Sequence, residues 1–253
     1  IDNGYTTVKF DSDFANAVAE GEFDPLTLQQ TFTNLVAKRL PTLPGMPQYK
    51  ATDNKMNLNV YVTDMKRVGE LLGVDISARE PLMLVGKVND PMQTADISVA
   101  APHLEYSGRT FGDTKLHIYS LADTLYVNGG TFREDSDGKH FSLAFRGQAA
   151  DNRLTTAIDF DNGRQRRMCG SINANSQFFK GVDGKPVVSV NILPSEIMMG
   201  DSLWHLRSSD VVYTAYNLRI NNFLLEHDQQ RVKIDGAATR SVDDSLVVDM
   251  QDV

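Results

Sequence analysis

The chain has 253 residues, 41% of them hydrophobic and 23% charged, which suits one large folded unit or two smaller ones and not a disordered chain. A net charge of −8 and a pI near 5.1 argue against a polyanion partner, and the densest basic cluster is only the short Arg164-Arg166-Arg167 turn, so nucleic acid is not an expected ligand. The single cysteine, Cys169, cannot form an internal disulfide and reads as a small buried thiol in a strand-like segment.

In chain order, residues 6–22 alternate apolar and polar, with Val8, Phe10 and Phe14 opposed to Lys9, Asp11 and Asp13, and predict one long strand or a bent pair. Asp24 as N-cap and Pro25 at the first helical position open a helix carrying Leu28, Phe32, Leu35, Val36 and Leu40 at helical spacing. Lys38 and Arg39 suit the negative end of its dipole, and Pro41-Thr42-Leu43-Pro44-Gly45 stops it. A strand over 56–62 and a short helix over 64–72, capped by Asp64, follow. After Gly73 the pattern is almost wholly β. Strands are expected over 82–89, 94–101, 114–121, 125–133, 140–149, 153–160, 166–174, 187–193, 203–207, 211–213, 218–226, 231–239 and 245–250. Turns fall at Asp135-Ser136-Asp137-Gly138, Ala150-Asp151-Asn152, Asp161-Asn162-Gly163 and Asp183-Gly184. The layout divides into a strand–helix–strand–helix section over 1–73 and a continuous β section over 74–253, together one structural unit.

No catalytic pattern stands out. His103, His117, His140, His205 and His227 are scattered singly, without a second His or Cys at metal spacing, and read as solvent-face strand or loop residues. Asp159-Phe160-Asp161-Asn162-Gly163 resembles the start of a calcium loop, but Gly170 occupies the position of the closing acidic residue, so a hairpin turn is the better reading. Asp243-Asp244 fits a solvated polar turn, and Trp204 a core or groove wall rather than a sugar platform. There is no phosphate-binding loop and no nucleophile elbow. We therefore expect no enzyme, no cofactor and no metal. No apolar run reaches the roughly 18 residues of a membrane span, and no signal peptide is present. Ile1 at the start and a strand pattern running to Val253 read as a piece of a longer protein.

The stretch 201–253 contains Asp201-Ser-Leu-Trp204-His-Leu-Arg-Ser-Ser, Leu218-Arg-Ile-Asn-Asn222-Phe223, Gln230-Arg-Val-Lys-Ile234-Asp235-Gly236 and Asp244-Ser-Leu246-Val-Val-Asp-Met250. With Leu40-Pro41-Thr42-Leu43-Pro44-Gly45 after an amphipathic helix, these phrases and the strand cadence resemble the TamB family of AsmA-like envelope proteins in its Bacteroides-type form. The resemblance covers most of the chain. It implies a mainly β fold: an elongated, curled antiparallel, meandering sheet, a β-taco with an open apolar groove. The two short helices near the N-terminal part depart from a plain stack of strands. It also implies the periplasmic portion of an inner-membrane-anchored protein, an interior section of a conduit that carries phospholipid between the inner and outer membranes.

In that setting the groove would be lined by Leu116, Ile118, Leu125, Val127, Phe141, Leu143, Phe145, Leu154, Ile158, Phe160, Val232, Ile234, Leu246 and Val248, each on the apolar side of its alternating segment. The partners would be phospholipid acyl chains and, through other parts of the full-length protein, an outer-membrane barrel. Two alternatives use the same alternation: a scaffold or chaperone for outer-membrane β-barrel assembly, and a structural β-sandwich whose apolar faces close on each other.

Overall fold

The computed structural model describes residues 4–134, 140–164, 166–215, 217–239 and 246–251, with backbone alone described at Glu134, His140 and Leu246. The turn expected at 135–138, the carboxylate pair at 243–244 and the side chain of His140 lie outside the described residues. Period-two alternation becomes a single antiparallel sheet of 18 strands, not two packed sheets. β1 (Thr6–Asp11) and β2 (Ala15–Glu22) form a hairpin, so 6–22 is a pair rather than one long strand. Then come β3 (Lys55–Val62), β4 (Ile76–Ala78), β5 (Leu82–Asn89), β6 (Thr94–Tyr106), β7 (Arg109–Leu121), β8 (Thr124–Glu134) and β9 (His140–Ala150). β10 (Arg153–Asp161), β11 (Met168–Lys180), β12 (Pro186–Ile192), β13 (Ser195–Met199), β14 (Ser202–Leu206) and β15 (Ser209–Thr214) follow. β16 (Asn217–His227), β17 (Gln230–Thr239) and β18 (Leu246–Gln251) complete the set.

Pairing is a meander. β2 to β3, β3 to β5, and each step from β5 to β11 join neighbours, while short β4 pairs with β6 beyond the end of β5. β12 and β13 run one after the other along β11, and β14 and β15 both pair with β16. They behave as two long strands, each broken once, at 193–194 and 207–208. Three neighbouring strands thus gain an extra residue at about the same height: Ile192 and Ser195, Leu206 and Ser209, and Ile220 and Phe223 each keep one face across an odd step. Asn222 takes a left-handed φ of 55° to do so. Among the described residues β1 and β18 each have one neighbour only, so the sheet has two open edges.

The first helix, α1 (Leu28–Ala37), follows a 3-10 turn over Pro25–Thr27, where Asp24 Oδ1 accepts from the N–H of Leu26 at 2.9 Å. Its Leu35, with Leu28 and Phe32, packs on Phe23, Met56, Val88, Ala95 and Ile97, near the ends of β2, β3, β5 and β6. Val36, Leu40 and Leu43 continue along the same side onto Ile118, Leu125, Ala149, Leu154, Phe178 and Val188, residues of β7 to β12. One segment of some 16 residues (28–43) thus touches strands from β2 to β12, around which the sheet curls. A buried polar network locks it: Asn34 Nδ2 donates to Asp90 Oδ2 at 2.8 Å and to Lys50 O at 2.8 Å, and Thr52 donates to the same carboxylate through N–H and hydroxyl at 2.7 and 2.6 Å. The second helix, α2 (Met65–Leu72), is capped by Asp64, which accepts from Lys66 and Arg67, and ends on Gly73 with φ 69°.

Candidate apolar groove

The register decides which side each strand shows. Ile118 pairs with Val127, Leu116 with Gly129, Leu125 with Ala149, Gly129 with Phe145, Phe145 with Ile158, Leu143 with Phe160, and Ala149 with Leu154. Direct cross-strand partners share a face, so these residues occupy one side of β7 to β10. Phe141, opposite Arg133 and 5.8 Å from its guanidinium, belongs to the same row of positions. The face continues through Ile172, Val190, Val211 and Ile220 to β17 and β18, where Ile234 pairs with Phe223 and Val248, Val232 with Leu225 and Met250, and Gly236 with Leu246. All fourteen expected residues therefore stand on one face, Leu246 by its backbone position.

Burial along this face is uneven. Under α1 and Leu40 the side chains are enclosed: Leu125 is 4% exposed and Phe178 5%. Further along the same strands Leu143 and Ile158 are each 37% exposed, and on the edge strand Val248 and Met250 reach 51% and 65%. The apolar face is covered at one end of the strands and open at the other. Trp204, opposite Ile197, is a buried part of it, and its ring lies 5.7 Å from that of His227. Reading by segment missed Val190, Ile220 and Phe223 on this face, while Trp204 is buried as the expected core or groove wall would be; the neighbouring strands are broken at 193–194 and 207–208, which hides the alternation.

Three sequence expectations change. His227 is not a solvent-face residue: it sits on the apolar side against Trp204, with its Nδ1 2.8 Å from Leu203 O. Cys169 is half-buried on the opposite face, across from Asp161, rather than enclosed. Arg39 is 4% exposed and does more than complement a helix dipole: Nη1 donates to Leu35 O at 2.9 Å, Nη2 to Gln93 O at 2.8 Å and Nε to Asp123 O at 3.1 Å. Burial pulls its pKa below the usual guanidinium value, and Asp123 opposes that shift. The remaining described histidines, His103, His117 and His205, are paired on the surface with Glu80, Asp96 and Glu196.

The reverse face is charged and paired, with Arg146 to Asp159 at 2.7 Å and Arg207 to Glu226 at 2.5 Å. In the 161–167 turn Asp161 accepts from Arg167 and from the Gly163 N–H, which hold its carboxyl below the ordinary carboxylate range. Asn162 ties the same turn to Arg166 and Met168, as a hairpin turn requires. A concavity of about 1030 Å³ lies elsewhere, among Asp24, Gln30, Lys50, Asp53 and Lys55. Among the described residues no group of three His, Cys, Asp or Glu side chains converges on a metal position, and no helix is long and apolar enough to cross a membrane. No family model, no curated protein and no solved structure matches the chain.

Proposed function

We propose that this chain is a non-enzymatic section of a conduit that carries phospholipid between the inner and outer membranes, holding acyl chains on its apolar face. The supporting observation is the contrast along that face, enclosed at Leu125 and Phe178 but open at Leu143 and Ile158. Contiguous apolar surface left uncovered beside a closed core is the kind of surface that ligand-binding grooves present. An acyl chain in water costs about 0.8 kcal/mol for each methylene, or roughly 13 kcal/mol for a chain of about sixteen carbons. A continuous apolar strip offsets most of that cost without specific contacts. The resemblance to the TamB family supplies the setting: the periplasmic portion of an inner-membrane-anchored protein.

A photo-crosslinking amino acid at Phe141, Phe145 or Ile158 of the full-length protein in cells tests this, with mass spectrometry for attached phospholipid. Adducts at these positions but not at Arg146 or Asp159 are expected. Silence at all three, in folded protein, would remove the lipid reading. The open edges β1 and β18 favour a second reading, a scaffold for outer-membrane β-barrel assembly, because unpaired strand edges offer backbone hydrogen bonds to another strand. Crosslinks from Lys9 or Asp249 to nascent barrel proteins, with no lipid adduct in the groove, would select it.

A further inference from the structure

On the face away from the groove, one row departs from the paired charges around it. Tyr126, Gln148, Thr155, Asn175 and Asn191 are successive cross-strand partners on β8, β9, β10, β11 and β12. At about 4.8 Å between strands they form a line of roughly 19 Å. Gln177 and Ser189, partners of each other, widen it by a second row. Two concavities of about 430 and 400 Å³ lie along it and share Arg153, Thr155 and Gln177, so they make one continuous cleft. Its polar side chains are amides and hydroxyls, with Arg153 and Asp151 as opposed charges.

We propose that this cleft binds a neutral glycan chain. Amide and hydroxyl side chains each donate and accept, as sugar hydroxyls do, so the two arrays can satisfy one another group by group. An anionic ligand would find no net positive charge, and an apolar one would strip water from amides without replacing its hydrogen bonds. The amides are already oriented: Thr155 bonds Asn175 at 3.0 Å, and Asn191 donates to Asp210 at 2.8 Å. Tyr126 stacks on Tyr119 with centroids 5.0 Å apart and planes 9° from parallel, and this aromatic pair ends the row at β8 with an apolar edge that sugar C–H groups can contact. The strand step is close to the length of one hexose in an extended 1,4-linked chain, so successive sugars meet successive strands. Nothing in this site depends on the groove or its cargo.

Calorimetry and NMR titration of the protein with linear β-1,4-linked oligomers of glucose and of N-acetylglucosamine provide the test. Saturable binding to at least one is expected, with shifts confined to the row. The double change Asn175→Ala and Gln177→Ala should weaken it about tenfold or more, and Gln148→Ala should do so separately, with melting temperatures unchanged. Phe145→Arg, on the other face, should leave glycan affinity as it was. Absence of saturable binding to both oligomers, or binding that ignores the Asn175/Gln177 change, overturns the proposal. So does tighter, salt-sensitive binding of a sulfated polysaccharide, which would make charge the determinant.

Discussion

Arg39 carries more of the structure than its place in the sequence suggests. As the residue after Lys38 at the end of an amphipathic helix, it reads as a surface charge at a dipole. The fold instead brings the β5–β6 turn, the β7–β8 turn and the Leu35 carbonyl in the last turn of α1 to its planar fork, and its own carbonyl accepts from Asn152 N–H at 2.7 Å. Carbonyls contributed by Leu35, Gln93 and Asp123 are far apart in sequence, so no local pattern could reveal the site. Arg39→Ala would leave them without their donor and is expected to cost about 2–4 kcal/mol in urea unfolding. Arg39→Lys should recover only part, since one ammonium cannot reproduce the fork. That the fourteen expected residues share one face was legible because period-two alternation assigns faces without knowledge of partners. His227 was not, because the bulge at Asn222 and the strand break at 207–208 bring it beside Trp204.

At the scale of elements, strand identity was readable and strand length was not. The segment expected over 94–101 stops at Pro102, yet β6 runs on to Tyr106. Proline is tolerated there because pairing passes from Ala101–Thr114 to His103–Gly112 without using Pro102, opposite Asp113 at φ 49°. On the other side Pro102 falls between Ala100, where β6 stops pairing with β5, and Leu104, where it starts pairing with β4, so no ladder N–H is required there. β13 was overlooked for a related reason: Pro194 precedes it, and its sequence Ser195-Glu-Ile-Met-Met199 ends in three consecutive apolar residues and does not alternate. Gly21 shows the opposite case, a residue whose absence of a side chain is essential. It has φ 146°, and a Cβ would come within 2.1 Å of Lys55 O and 2.9 Å of Met56 Cα in the adjacent β3. Gly21→Ala should push β2 away from β3 just where Phe23 enters the core, lowering stability by about 2 kcal/mol or more in chemical denaturation. Faster amide exchange in both strands would accompany it.

For the whole molecule, the distribution of cover over one apolar face links stability to the proposed function. Helix α1 and residues 40–43 seal the strand ends carrying Leu125, Ala149 and Phe178, while the part carrying Leu143 and Ile158 has no such cover. The same chemical change should therefore have different consequences at two positions of one face. Leu125→Asp places a carboxylate in an enclosed apolar site and is expected to cost about 4 kcal/mol or more. Ile158→Asp lets the carboxylate reach water and should cost about 1 kcal/mol. If the open part carries acyl chains, Ile158→Asp should still abolish phospholipid crosslinking from Phe145, its direct cross-strand partner. An unfolded protein in both cases would mean that the open part is closed by something that acts as core. A folded Ile158→Asp protein with undiminished lipid adducts would mean that cargo bypasses this face. A folded protein that has lost its adducts ties the uncovered strip to transport, and separates that role from the stability supplied by the covered end.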